Sequence, residues 1–395
     1  MNNWKLVRLE EVAESINAGG TPYRKEPTYW ENGTIPWLKI SDLKSKYVYA
    51  AEERITKIGL ENSSAKLFPK DTVLYSIFAT IGAIGILKQK ATANQAIVGI
   101  VPNQKIILLE YLYYCLLSEK NKIYEKRSHA TQDNINLTIL RNHKIPLPPI
   151  SIQKKIVSVL EKAEKIKEKR KQAKELSDVF LKNMFLDLFG FPVKNKTRWP
   201  IGKIGNLVTS VNYGSSKKAD ENNGKYPILR MNNITYSGDI DFTNLKYIDF
   251  SDGEVEKYIL KKGDIVFNRT NSKELVGKTA VYNSNKVMTY AGYLIRIRTN
   301  EHANPEYISA FLNSEYGKVQ LQSMCKSIIG MANINAKELQ KIIIQLPPIE
   351  LQNKFALEVK KIRKLKEQQT VSEFNTEKLF SSLMQKAFKG DLING

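Results

Sequence analysis

Residues 145–166, IPLPPISIQKKIVSVLEKAEKI, are answered at 344–365 by IQLPPIELQNKFALEVKKIRKL. The Pro-Pro pairs begin at Pro148 and Pro347, an offset of 199 residues, and that offset carries Leu140 onto Leu339, Gln153 onto Gln352, Ile166 onto Leu365 and Phe189 onto Phe388. Units of a solenoid or propeller run about 20 to 50 residues. A period of half the chain therefore makes each copy a domain followed by a helix.

The repeat continues more faintly outside this element. WKLVRLEEVAESINAGG, from Trp4, lines up with WPIGKIGNLVTSVNYGS, from Trp199, and IPWLKISDL, from Ile35, with YPILRMNNI, from Tyr226. FPKDTVLYS, from Phe68, matches LKKGDIVFN, from Leu260, and the triplet NIN at 134–136 recurs at 333–335. Between these anchors the stretches after Ser76 and after Asn268 differ in length and chemistry. A shared framework with divergent loops implies one scaffold presenting two different surfaces.

Composition bounds the class. A chain of 395 residues with 42% hydrophobic content can bury two ordinary cores. No apolar run has the length of a membrane span, and the N-terminal stretch is too acidic and interrupted for a signal peptide. Cys115 and Cys325 stand alone, neither a metal pair nor a disulfide framework, which fits a reducing cytoplasm. Sixty-one Lys and Arg against 40 acids give a net charge of +21, so a polyanion is the expected partner and nucleic acid the leading one. Residues 151–200, with 13 basic and 6 acidic side chains, are the most basic stretch.

After each Pro-Pro the pattern takes on helix period. Ile152, Ile156, Ile166, Phe180 and Met184 mark one stripe, and Leu351, Phe355, Ile362, Leu365, Leu379 and Leu383 a second in the same register. Proline suits a helix's first turn and stops a preceding strand. Each helix can run about 40 residues, about 60 Å at 1.5 Å per residue, and the two stripes are expected to pair antiparallel. The globular parts read as mixed α/β, with strands such as TVLYSI, AIVGIV, DIVFN and YLIRIR. The expected fold is α+β: two repeated recognition domains, 1–147 and 191–346, separated by long helices at 148–190 and 347–395.

A search for catalytic chemistry fails. His129, His143 and His302 have no neighbour at metal-ligand spacing, so no metal site is expected. ELVGKTA lacks the first glycine of a phosphate-binding loop, because Ser272 stands there. Asp71 and Asp264 read as turn residues that open repeated strands. No Asn-Pro-Pro-Tyr or Asp-Pro-Pro-Tyr segment and no glycine-rich cofactor loop is present, as a DNA amino-methyltransferase would need.

Two variable halves, each closing LPP…Q…I into a long helix, and the early loop Gly19, Gly20, Thr21, Pro22 resemble the specificity subunit of a Type I restriction-modification system. The second half departs from that loop with Gly214, Ser215, Ser216 and Lys217. The resemblance implies a non-catalytic subunit with two target-recognition domains reading a bipartite, asymmetric target in double-stranded DNA. It implies modification (methyltransferase) subunits as partners on the helical frame, with S-adenosylmethionine bound there and no cofactor in this chain, and restriction (endonuclease and translocase) subunits as further partners.

Base reading needs donors and acceptors that reach a groove edge, while Lys and Arg fix position on phosphates. The candidates in the first half are Thr21, Tyr23, Arg24, Lys25, Ser76, Thr80, Asn94 and Gln95. In the second they are Tyr213, Ser216, Lys217, Lys218, Arg269, Asn271, Lys273, Lys278, Tyr290 and Tyr293. Two other function classes compete: a self-contained methyltransferase or nuclease with degenerate motifs, which would bind S-adenosylmethionine alone, and a DNA-free rod with two protein-binding heads.

Overall fold

The computed structural model describes residues 4–126, 135–190, 199–251, 253–272, 274–328 and 331–392; His129 and Lys273 lie outside them. The chain forms two compact units, residues 1–169 with 372–395 and residues 170–371. The helices Ile150–Phe189 and Ile349–Lys389 are therefore each shared, beginning in one unit and ending in the other.

In the first unit the strands Ala13–Ala18, Ile97–Pro102, Val73–Ser76, Ile84–Leu87 and Tyr47–Val48 form one sheet in that order, antiparallel except for the last pair. Both faces are covered. Val73, Tyr75, Val98 and Ile100 enter one core and Leu74, Leu87 and Ile97 another, which is why these strands read as continuous apolar runs instead of alternating. A smaller sheet orders Glu53–Ile55, Ile35–Leu38 and Thr92–Ala93, with one antiparallel and one parallel pairing.

The second unit repeats this topology. Val208–Tyr213, Leu294–Thr299, Ile265–Asn268 and Thr279–Val281 form the main sheet, again between two cores. Lys246–Ile248, Tyr226–Leu229 and Thr289–Tyr290 form the smaller one with the same pairing senses. The turn into the central strand needs a positive φ in both halves, taken by Asp71 at 63° and Gly263 at 92°. Asp264 is more than a turn residue: it is buried, caps Lys261 N and binds Arg298 through two hydrogen bonds of 2.7 and 3.1 Å. The NIN triplets supply helix caps, Asn136 Oδ1 accepting from Ile139 N at 2.8 Å and Asn335 Oδ1 from Glu338 N at 2.9 Å.

Each Pro-Pro follows a strand that returns to its domain's beginning: Lys144–Leu147 pairs with Lys5–Arg8, and Ile343–Gln345 with Ile201–Lys203. The glutamine beyond is buried in both copies. Gln153 Oε1 accepts from Leu108 N at 2.8 Å, while its Nε2 donates to Ile106 O and Pro148 O. Gln352 makes the same set with Asn304 N, His302 O and Pro347 O. Tyr111 and Tyr307 close the seat by donating to Pro146 O and Gln345 O.

The helices pair antiparallel within each unit. In the first, Ile156 and Leu160 share a core with Met384 and Ala387; in the second, Phe185 and Phe189 meet Phe355 edge to face with ring centroids 5.6 and 5.7 Å apart. The expected stripe is corrected at its middle, where Ile166, Phe180, Leu365 and Leu379 are 48–56% exposed. Ile152, Met184, Leu351, Ile362 and Leu383 are half-buried. Ion pairs take over there, Lys167 with Glu377 in the first unit and Lys366 with Asp178 in the second, so the apolar seam is confined to the helix ends.

Replacing Gln153 by Leu leaves the Leu108 N–H and two carbonyls without their partner. At about 1–3 kcal/mol for an unsatisfied buried group, the Gln153→Leu chain should lose at least about 2 kcal/mol of stability in denaturant unfolding. The exposed control Lys155→Leu should change it by less than about 0.5 kcal/mol.

Candidate nucleic-acid interface

The antiparallel main sheets bring several loops to one end. In the first half Ala18, Ser76, Ile84 and Ile97 all stand at that edge, and backbone bonds tie the loops: Gly19 N to Ile97 O, Gly20 N to Ala93 O, and Ile77 N to Ala96 O. Gly19 and Gly20 are required by close approach. A Cβ on Gly19 would lie 2.2 Å from Ala93 O, and one on Gly20 2.4 Å from the Ser64 backbone. This approach sets the side chains of Thr21 and Gln95 in a hydrogen bond at the rim.

Beside them the Arg24 guanidinium lies over Trp30 at 3.9 Å and Trp37 at 4.4 Å from the ring centroids, a cation–π contact in the corner of two rings that meet edge to face at 89°. Arg24 also pairs with Glu53, which holds that carboxyl below its usual range. Lys39 bridges Glu53 at 2.9 Å and Glu52 at 3.2 Å. Trp37 is pinned by donating Nε1 to Gly20 O at 2.9 Å, and Trp30 by donating to Tyr23 O at 3.1 Å. Two of the chain's four tryptophans flanking one arginine loop was a signal that the sequence offered and that loop polarity alone passed over. Tyr23, Lys25, Thr80 and Gln95 are exposed on this surface, and Asn94 is half-buried, its Oδ1 accepting from Ala96 N as a turn residue does. Ser76 is corrected: it is fully buried, donating to Thr80 O and accepting from Ala83 N, so it shapes the loop from beneath.

The second half gathers the equivalent edge. Gly214 N bonds Leu294 O, Ser215 N bonds Tyr290 O, and Arg269 N bonds Tyr293 O. Tyr213, Ser216, Lys218 and Tyr293 are exposed. The Arg269 guanidinium sits 4.9 Å over the Tyr213 ring, whose hydroxyl accepts from Ala336 N. Lys217 is committed internally to Glu254, and Asn271 Oδ1 accepts from Ser272 N. Lys278 is buried, 8% exposed as a whole residue, where an exposed contact was expected. Tyr290 is corrected to a core residue, wholly buried among Val266, Met288 and Leu294.

Among the described residues no group of three or more His, Cys, Asp or Glu is placed to hold a metal, and no helix is long and apolar enough to cross a membrane. The family model of the Type I restriction modification DNA specificity domain matches twice, at residues 1–176 and 196–372. The chain belongs to this family. It is similar to the EcoKI specificity subunit of Escherichia coli K12, 23% identical over 98% of this chain and 89% of that one. A Methanocaldococcus jannaschii counterpart, the MjaIX specificity subunit, is 28% identical over 59% of this chain and 58% of its own. Among solved structures, one described as the basis of complex assembly and conformational transition of the Type I restriction-modification system covers 99% of both chains at a TM-score of 0.64 and 18% identity. The S subunit of the Type I restriction-modification system of M. genitalium covers 98% of this chain and 97% of its own, at 0.56 and 14%. Both share the fold. The family role is DNA sequence specificity, a targeting part of the enzyme and not its catalytic one.

The glycine geometry gives a direct test. Gly19→Ala forces its Cβ against the carbonyls of Ala93 and Asn94, 2.2 and 2.3 Å away. An overpacking cost of about 1–3 kcal/mol is expected, read as a lower thermal midpoint, with recognition of one half of the DNA target lost and the other retained.

Proposed function

We propose that this chain reads a bipartite, asymmetric DNA target, one part with each repeated domain, while the paired helices fix the unread spacer. The observation that carries the reading is that one sheet scaffold occurs twice with different loops at the same edge. Thr21, Tyr23, Lys25, Thr80 and Gln95 form the first reading set, with Arg24 holding its shape. Tyr213, Ser216, Lys218, Arg269, Asn271 and Tyr293 form the second.

Modification subunits dock on the helical frame and carry S-adenosylmethionine; restriction subunits join that assembly, and the whole operates in the cytoplasm. The half-exposed apolar side chains of the helices, Ile166, Phe180, Leu365 and Leu379, suit such docking, since large exposed apolar groups on otherwise charged helices mark contact surfaces.

Two outcomes test this reading. Exchanging residues 20–140 for the same region of a relative should change one part of a split methylated target, mapped by methylome sequencing, and leave the other part intact; a change in both would show that the domains do not read independently. Inserting four residues near Ala173 adds about 6 Å and about one turn, close to two base pairs at about 3.4 Å. Methylation should then map to a spacer one or two base pairs longer with both recognised sequences unchanged. Methylation at the original spacing by a well-assembled insertion mutant would refute the ruler.

A further inference from the structure

We propose that Lys278 and Lys318 together hold one phosphate of the DNA backbone against the second recognition domain. The proposal rests on the DNA reading above; it joins Lys278, a candidate from its loop position, to Lys318, which neither the repeat nor the loop chemistry pointed to.

Lys318, on the helix Glu315–Met324, donates its Nζ to Gly277 O at 2.8 Å. Gly277 directly precedes Lys278 and has a φ of +76°, so the Lys318 ammonium is anchored on the turn from which Lys278 departs. Burial pushes Lys318 down to about 8, with the charge of Lys278 adding to the shift, and burial lowers Lys278 as well. Among the described residues neither ammonium meets a carboxylate. Two like charges, partly desolvated and near enough to repel, weaken the free protein unless a counter-charge arrives from outside.

The first half shows that the fold does not need this pair. Its corresponding turn is closed by Gly82 N on Ser76 O at 2.9 Å, as the second is by Gly277 N on Asn268 O at 2.8 Å, and the residue after that glycine is Ala83. There Lys122, at the repeat position of Lys318, pairs with Glu119 at 2.8 Å, and the helical lysine against the turn is Lys120, whose stem lies over Gly82. What the second half adds is a cation directly after the turn glycine, at the foot of the loop that carries Arg269 and Asn271. A lysine ammonium is a compact charge with three donors, suited to phosphate oxygens, and such contacts fix position without reading sequence.

The test uses the full chain and a random-sequence duplex across a salt series, with thermal midpoints recorded for each variant. Lys278→Met with Lys318→Met should fold as well as the unaltered chain, since a repulsion is removed. It should reduce the slope of log K against log salt by about 0.9, the share of one phosphate, and weaken binding several-fold at low salt. Lys278→Arg with Lys318→Arg should keep the slope. An unchanged slope in the folded Met variant overturns the site. If inorganic phosphate raises the midpoint of the unaltered chain while the slope is unchanged in the variant, the pair holds a free anion instead and the DNA assignment is equally overturned. A flat salt response of the unaltered chain would overturn the DNA reading as a whole, and this site with it.

Discussion

Everything that distinguishes the two halves depends on a contact that is identical in them: the buried glutamine at the first turn of each long helix. Gln153 and Gln352 satisfy one backbone N–H and two carbonyls apiece. Those groups belong to the loop before the amphipathic helix and to the proline that ends the returning strand. A side chain with one acceptor and two donors fits three such partners, and burial makes each bond costly to lose. Helix, strand end and loop are thereby fixed as one body, so the reading loops at the sheet edge can vary without disturbing the join.

Further along the helices the two seats differ by sign of charge. In the first unit Lys46, on a domain loop, meets Glu161 at 3.1 Å and Glu164 at 3.5 Å on the helix, and Tyr114 donates to Glu164. Burial alone would depress Lys46, but the two glutamates outweigh it and its pKa is raised. In the second unit the domain contributes acids: Glu306 binds Arg363 at 2.9 Å, and Asp239 meets Lys366 at 3.1 Å. Glu164 and Arg363 occupy the same position of the repeat. A domain placed on the other helix would bring like charges together in a seat where Lys46, Arg363 and Glu306 are largely covered. Repulsion against the wrong arrangement is a usual means of specificity, and here it keeps two similar domains on their own helices.

The sequence carried the framework because period and turn chemistry are local. The Pro-Pro element, the NIN caps and the strand runs became a join, two capped helices and two sheets. The middle of the helices was misread because periodicity counts apolar residues without asking what opposes them; Ile166 and Leu379 keep the spacing yet face outward, the seam there being ionic. Ser76 and Tyr290 were misplaced for a related reason. Polarity near a loop suggests exposure, but both lie under the sheet edge, where a hydroxyl bonded to backbone and an aromatic ring in the core are structural. Lys278 and Lys318 are distant in sequence, and only the folded domain brings the Lys318 ammonium to the turn before Lys278, whereas Arg24 and its two tryptophans lie in one short stretch.

The two reading edges also manage charge differently. In the first half Arg24 and Lys39 are balanced by Glu52 and Glu53, which leaves a rigid rim of aromatic and amide groups whose field at a distance is weak. In the second half Lys217 is balanced by Glu254, but Arg269 faces an aromatic ring, and the Lys318 ammonium rests on Gly277 O beside Lys278. Uncompensated cations attract a polyanion over about a Debye length, roughly 10 Å at 0.1 M salt, whereas paired ones act only on contact. On the proposed DNA reading, the second domain supplies more of the salt-sensitive attraction and the first more of the short-range fit.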